Sequence, residues 1–252
     1  MVATGIDADP DNFSNNVEVI DLADASTTCD ALEDYPIRAS GASGGLLSVP
    51  LICGGAEKSH KILSDHPVSE CYIVGSGIRD PVAKLLAPRV DSAAVAISSH
   101  QLWVTGGTSV PENVGGVPHY NSLKSTEIVD VQTSNVVEGP ELPWGMSGHC
   151  VVQLNQFTFF FLGGGKHISL SGSVNGSSTF FYDARSKAWT NGPDMNYERK
   201  SFGCGIMKMA SGSSMVVVTG GIESISNREG LAATEFLNLG DPNGLKWSSG
   251  NH

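Results

Sequence analysis

The chain has 252 residues, of which 40% are hydrophobic, enough for one large all-β domain or two small domains. Its 30 glycines indicate many turns, and its 16% charged residues are too few for a coiled coil or a disordered polyelectrolyte. The formal net charge of −11 repels phosphate backbones, so we expect no nucleic-acid partner. No segment approaches the roughly 20 apolar residues that cross a bilayer, so we expect no membrane span.

A double glycine follows a short apolar run four times along the chain. The first glycines of successive pairs are 52, 57 and 57 residues apart, and a degenerate fifth copy ends at Gly5. Such a fixed period is the signature of a repeat architecture. The four pairs are Gly54 and Gly55, Gly106 and Gly107, Gly163 and Gly164, and Gly220 and Gly221.

Three further motifs recur in register with the glycine pairs. A β-rich run, often with a glutamate at its second position, follows each pair after a variable loop, and a strand containing Trp189 or Trp247 follows two of these runs. A strand of small and apolar residues then opens the next unit, preceded by Arg38, Arg89 or Arg199, or by Met146 in one copy. The β-rich runs occupy residues 17–22, 69–74, 126–131, 179–184 and 234–239.

Four strands in a unit of about 50 residues are typical of a propeller blade. Together these residues resemble the kelch repeat over nearly the whole chain. The resemblance implies an all-β kelch-type β-propeller, with about five four-stranded blades present out of a family range of five to seven, acting as an interaction platform. We place the blades at residues 1–36 (partial), 37–88, 89–143, 144–194 and 195–250 of a single 1–252 propeller. Because the first blade lacks an inner strand, we expect an incomplete ring and a fragment of a longer chain.

Recognition on a rigid repeat scaffold falls on its variable loops. We expect the loops after the glycine pairs and those entering the first strands to share one face. Exposed aromatic and basic side chains make good anchors for a protein partner. The candidate partner-binding residues are His119, Tyr120, Trp144, Lys166, His167, Tyr197 and Arg228.

Catalysis and metal binding have little support in the sequence, and we expect no enzyme and no cofactor. None of the seven histidines forms a His-x-x-x-His or His-Glu-x-x-His pair. His149 aligns with Phe202 and is predicted to pack in a first strand. One loop has carboxylates at the spacing of an EF-hand but lacks its glycine, and a solvated acidic loop is the alternative. This weak calcium candidate comprises Asp7, Asp9, Asp11 and Glu18.

The five cysteines leave the cellular compartment open. Cys53 and Cys71 fall on consecutive strands of one blade with Cys29 just upstream, so a disulfide among these three is one expectation. Cys150 and Cys204 are predicted to occupy the same position in two blades and to be buried packing residues. The sequons at Asn12 and Asn175 favour an extracellular location slightly.

Several functional classes therefore remain open. The first is a protein-binding scaffold whose partner is another protein or peptide, including the substrate-recognition part of a cullin-type ubiquitin ligase adaptor. The second is an extracellular kelch module. A copper oxidase-like enzyme is the most distant alternative, because the kelch-like oxidases need clustered tyrosines and histidines, whereas the five tyrosines here are scattered.

Overall fold

The structure is a computed structural model, and it describes thirteen stretches of the chain. These are residues 2–6, 13–19, 30–31, 34–37, 39–57, 66–77, 79–109, 112–114, 117–119, 121–168, 172–209, 212–223 and 230–250.

All regular secondary structure in these stretches is β-strand. The strands in chain order are β1 (Val2–Ile6), β2 (Phe13–Val19), β3 (Asp30–Ala31), β4 (Ala39–Ser40), β5 (Ser43–Leu46), β6 (Pro50–Cys53), β7 (Ala56–Glu57), β8 (His66–Pro67), β9 (Glu70–Ile73), β10 (Ala83–Lys84), β11 (Ala93–Ala96), β12 (Gln101–Thr105), β13 (Glu112–Val114), β14 (Val117–His119), β15 (Thr126–Asp130), β16 (Asn135–Glu138), β17 (Cys150–Gln153), β18 (Thr158–Leu162), β19 (Gly165–Ile168), β20 (Gly172–Asn175), β21 (Thr179–Asp183), β22 (Ala188–Asn191), β23 (Gly203–Lys208), β24 (Ser214–Thr219), β25 (Thr234–Asn238) and β26 (Trp247–Ser249).

Four of the sheets are four-stranded antiparallel meanders, and together they form a β-propeller arrangement. We name them blade I (β5, β6, β9, β10), blade II (β11, β12, β15, β16), blade III (β17, β18, β21, β22) and blade IV (β23 to β26). The first strands contact one another in sequence, β5 with β11, β11 with β17 and β17 with β23. The first strand of each blade is therefore the innermost one, as the small residues of β11 and β23 predict.

The core is divided among the interfaces between neighbouring blades, and β18 shows why its sequence is continuously apolar. Phe159 and Phe161 pack into the cluster shared with blade II, whereas Phe160 and Leu162 pack into the cluster shared with blade IV. Since successive side chains of a strand point to opposite faces, a sheet covered on both faces needs apolar residues at every position. The same division gives a third cluster between blades I and II.

The glycine pairs connect each blade to the next. Their φ angles are all positive, from 53° to 98°, a region that favours glycine. The N–H of the second glycine donates to a main-chain oxygen of the following blade, as from Gly55 to Arg89 at 2.8 Å and from Gly164 to Arg199 at 2.9 Å. A Cβ on Gly54 would lie 2.6 Å from the Arg89 oxygen. The repeat glycines thus serve both the turn and a close approach between blades.

Two blades contain a fully buried arginine–glutamate pair. In blade IV, Arg199 Nη2 donates to Glu235 at 2.7 Å, while Nη1 donates to the carbonyl oxygens of Gly220 and Ala233 at 2.8 and 3.1 Å. In blade II, Arg89 pairs with Glu127 and donates to Gly106 O at 2.7 Å. The arginine that precedes the first strand is therefore bound by the glutamate of the third strand in the same blade.

Blade III replaces both members of this pair with apolar residues. Met146 takes the place of the arginine and Phe180 that of the glutamate, and their side chains are 1% and 5% exposed. The two replacements occur together, as expected because either charge alone would be buried without a partner.

The arginine assignment in blade I was wrong by one residue. Ser40 pairs with Ala56 in the way that Val90 pairs with Thr108 and Lys200 with Ile222. The residue that precedes Ser40, and therefore matches the arginine of the other blades, is the fully buried Ala39 rather than Arg38. Arg38 itself lies outside the described residues.

Two disulfides are present, and one of them corrects the sequence-based prediction. Cys53 and Cys71 face each other on β6 and β9 and are bonded. Cys150 and Cys204, predicted to be buried packing residues at the same blade position, are bonded to each other across blades III and IV. Cys150 pairs in register with Leu162, one residue before a glycine pair, whereas Cys204 pairs with Val218, two residues before one.

This offset of one residue explains the bond. Adjacent strand positions point to opposite faces, so Cys150 faces blade IV while Cys204 faces back to blade III. At equivalent positions both side chains would point the same way around the ring.

Smaller sheets accompany the blades. The three-stranded sheet β1–β2–β3 contacts β4, which pairs with β7, and β7 in turn pairs with β8. The hairpins β13–β14 and β19–β20 lie between the second and third strands of blades II and III. Each hairpin therefore lies in the loop that follows a glycine pair.

Candidate functional site: the glycine-turn face

One face of the propeller combines the two loop sets that the sequence identifies. In an antiparallel meander the second strand ends, the third begins and the first begins at the same edge of the sheet. The hairpins β13–β14 and β19–β20 therefore share a face with the segments that enter the first strands, residues 143–147 and 196–200. We call this the glycine-turn face.

Trp144 lies on this face but is half-buried rather than fully exposed. Its ring meets Phe180 edge to face, with 4.2 Å between the ring centroids. Trp144 therefore covers the apolar residue that replaces the repeat glutamate in blade III. Part of its surface remains open to a partner, and the rest stabilises the blade.

Tyr197 lies at the entry to blade IV and is also half-buried. The Arg199 guanidinium carbon is 5.9 Å from the centroid of its ring and 5.8 Å from that of Phe202. The buried ion pair thus holds the base of this segment, because the neighbouring Asn196 N–H donates to Glu235 at 2.6 Å. A rigid base under a half-exposed tyrosine suits an anchor residue, since little side-chain freedom is lost on binding.

The structure describes the other candidate partner-binding residues less completely. His119 is the last residue of β14, and Lys166 and His167 lie in β19, so all three are on the hairpins of this face, although only their backbone is described. Tyr120 and Arg228 lie outside the described residues.

His149 is the most strongly perturbed titratable group near this face. It is buried, and burial lowers its pKa from 6.5 to about 3. Its Nε2 lies 2.9 Å from Thr105 Oγ1, which bonds to Ala93 O at 3.2 Å, and its ring stacks on Phe161. The imidazole is therefore neutral near pH 7 and forms part of the interface between blades II and III, where Phe202 stands in the next repeat.

The described residues contain no cluster of side chains that supports metal chemistry. Within the thirteen described stretches, no group of three or more His, Cys, Asp or Glu side chains could hold a metal ion. The calcium candidates Asp7, Asp9 and Asp11 lie outside these stretches, and Glu18 is described only as part of the β2 backbone. The described part of the chain also contains no helix long and apolar enough to cross a membrane.

A comparison with solved structures supports the fold. The chain is similar to the structure of YjhT. The two share 13% sequence identity with a TM-score of 0.57, over 86% of this chain and 66% of that chain. At this identity the likeness concerns the fold alone, and it agrees with the propeller arrangement of blades I to IV. The chain spans slightly less than two thirds of the length of YjhT.

The sequence comparisons add no family. No family model matches the chain, and no curated protein matches it. The kelch resemblance therefore depends on the repeat motifs themselves.

Proposed function

We propose that the chain is a kelch-type propeller acting as a non-enzymatic protein-binding scaffold, with a protein or peptide partner on the glycine-turn face. The observation that carries the proposal is the contrast between a cross-linked frame and variable loops. Buried ion pairs, glycine contacts and two disulfides hold the blades, while the segments after the glycine pairs differ in length and sequence. Loops on such a frame are suited to recognition.

Loop-face variants test this proposal. Affinity capture with the wild-type chain is compared with capture by the variants Tyr197→Ala and Lys166→Glu. The matched controls are Gln132→Ala and Lys187→Glu. Both residues are exposed and lie in turns at the opposite edge of the blades. We expect the first pair to lose partners that the control pair retains. Loss with the controls and retention with the loop-face variants would refute the choice of face.

A second candidate, an extracellular kelch module, is favoured by the two disulfides. Structural disulfides persist in oxidising compartments and are rare in the cytosol. The sequons at Asn12 and Asn175 agree with this candidate. A cullin-type ligase adaptor would work in a reducing compartment, where the same four cysteines are expected to remain thiols.

Intact mass after alkylation separates these two candidates. On protein secreted from a eukaryotic host and unfolded without reductant, two disulfides leave one of the five cysteines reactive. One alkylated thiol, rising to five after reduction, together with glycan mass, supports the extracellular module. Five reactive thiols without reductant and no glycan support the intracellular adaptor.

The copper oxidase-like alternative gains nothing from the four tyrosines whose side chains are described. Tyr35 and Tyr72 pack against each other in the core beside blade I, with 5.3 Å between ring centroids, and Tyr182 lies in the cluster between blades II and III. Tyr197 lies against the Arg199 guanidinium, so the four rings belong to separate parts of the fold.

A further inference from the structure

An apolar groove of about 320 Å³ opens between blades II and III. It extends from the turns β17–β18 and β21–β22, where Gln156 and Ala184 line it, to Pro140 just after β16. Volumes of this order are typical of small-molecule sites, which are apolar with a few placed polar groups. The lining residues are Ile97, Trp103, Ile128 and Pro140 of blade II with Gln156, Phe159, Tyr182 and Ala184 of blade III.

Blade III departs from the repeat at a position that lines the groove. Ala184 follows the third strand of blade III, where Val131 and Leu239 follow those of blades II and IV. The N–H groups of all three make the same bond to the preceding hairpin, at 2.8 to 3.0 Å. Val131 and Leu239 pack into the clusters between their blades, whereas Ala184 is exposed.

The connection between the third and fourth strands is a second difference between blades III and IV, and it leaves the same part of the interface unfilled. In blade IV the connection from third to fourth strand is longer and supplies Leu245 to the interface. The connection in blade III spans only residues 184–187. Two apolar side chains that fill the interface between blades III and IV therefore have no counterpart between blades II and III.

Aromatic side chains form the walls that remain. The Trp103 ring lies edge to face against Phe159, with 5.1 Å between centroids, and 5.4 Å from Tyr182. The Trp103 Nε1–H donates to Thr126 at 2.9 Å and is not available to a ligand. Aromatic walls in this arrangement accept the face or edge of another ring.

The polar groups available to a ligand are few and neutral. The lining contains no Asp, Glu, Lys or Arg. Burial, with a smaller contribution from Asp183, raises the pKa of Tyr182, so its hydroxyl stays protonated and can donate. The exposed Gln156 amide lies at the margin. A charged ligand would lose its hydration here without gaining a counter-charge.

We propose that this groove binds a small, neutral, aromatic molecule with a hydrogen-bond acceptor directed at the Tyr182 hydroxyl. The proposal does not depend on the protein-binding function. The apolar body of the ligand occupies the volume that Leu239 and Leu245 fill in the next interface.

Acetophenone is a suitable probe, because it joins one ring to one carbonyl acceptor. Its binding is followed by two-dimensional NMR of the Trp103 indole N–H and by calorimetry, in comparison with benzoate and ethylbenzene. We expect saturable binding with a dissociation constant in the millimolar range or tighter, about what good small ligands reach per atom. Benzoate should bind at least about tenfold more weakly.

The variant Ala184→Leu locates the site. It introduces the side chain that the repeat carries at Leu239, so the fold should be retained while acetophenone affinity falls at least about tenfold. Tyr182→Phe should weaken acetophenone and leave ethylbenzene unchanged. The proposal is overturned if no probe saturates the Trp103 signal, if folded Ala184→Leu binds as tightly as the wild type, or if benzoate binds as well as acetophenone.

Discussion

The buried pair of Arg199 and Glu235 gives a quantitative prediction, because the chain contains its own apolar substitute. Both side chains are fully buried, and the arginine also binds two carbonyl oxygens. Removing one partner of a buried ion pair leaves an uncompensated charge and costs about 3–5 kcal/mol. We therefore expect Arg199→Met and Glu235→Phe each to lower the free energy of unfolding by about 3–5 kcal/mol.

The double variant Arg199→Met with Glu235→Phe should lower the free energy of unfolding by much less than the two single variants together. It reproduces in blade IV the pair Met146 and Phe180, which blade III buries without charge. Replacing both members of a buried pair with apolar residues is often neutral. Two carbonyl oxygens lose their donor and the Asn196 N–H loses its acceptor. At about 1 kcal/mol each, we expect a net loss of about 3 kcal/mol.

Urea unfolding followed by tryptophan fluorescence measures all four proteins. The coupling energy of the double-mutant cycle should be at least about 3 kcal/mol, the sum of the two single losses minus the loss of the double variant. A double variant that loses as much stability as both single variants together would refute the reasoning. The control is Met146→Leu in blade III, which keeps an apolar pair and should change stability by less than about 1.5 kcal/mol.

Three more outcomes follow from the structure. Cys150→Ser, which opens a 54-residue loop between blades, should lower the free energy of unfolding by about 4 kcal/mol under oxidising conditions, against about 3 kcal/mol for Cys53→Ser. Under reducing conditions the wild type has no disulfides either, so both variants should match it in calorimetry. Gly106→Ala should destabilise more than Gly220→Ala, because a Cβ at the first site would lie less than 3.0 Å from Met146 O of the next blade, whereas the nearest atom at the second, Leu231 O, is 3.8 Å away. A urea titration that shows the reverse order would contradict this. Because burial lowers the His149 pKa to about 3, the unfolded chain binds the extra proton first. His149 should therefore lower stability by up to about 1.4 kcal/mol per pH unit below about pH 6.5. His149→Phe should remove this contribution to the slope between pH 6.5 and 4.5.

Much of the fold could be predicted from the sequence because glycine is nearly irreplaceable in its turns. The spacing of Gly54, Gly106, Gly163 and Gly220 located the second strands of blades I to IV, and the β-rich runs located the third strands. The partner of each buried charge could not be predicted. Arg199 and Glu235 are 36 residues apart, and only the meander brings them together.

The disulfide between blades was missed for a related reason. Cys150 and Cys204 resemble one repeat position, and the single-residue offset appears only when each strand is paired with its neighbour. The groove was missed because Ala184 belongs to a run that fits the third-strand motif. The contrast with Val131 and Leu239 was the available signal, but it has meaning only once the interface that each side chain faces is known.

Hydrogen–deuterium exchange of the chain with and without a captured partner tests the central claim most directly. Binding on the glycine-turn face should slow exchange in β13–β14, β19–β20 and residues 196–200, and leave the opposite turns at residues 131–134 and 184–187 unchanged. Protection confined to those opposite turns, with unchanged exchange in both hairpins, would contradict the proposed scaffold surface.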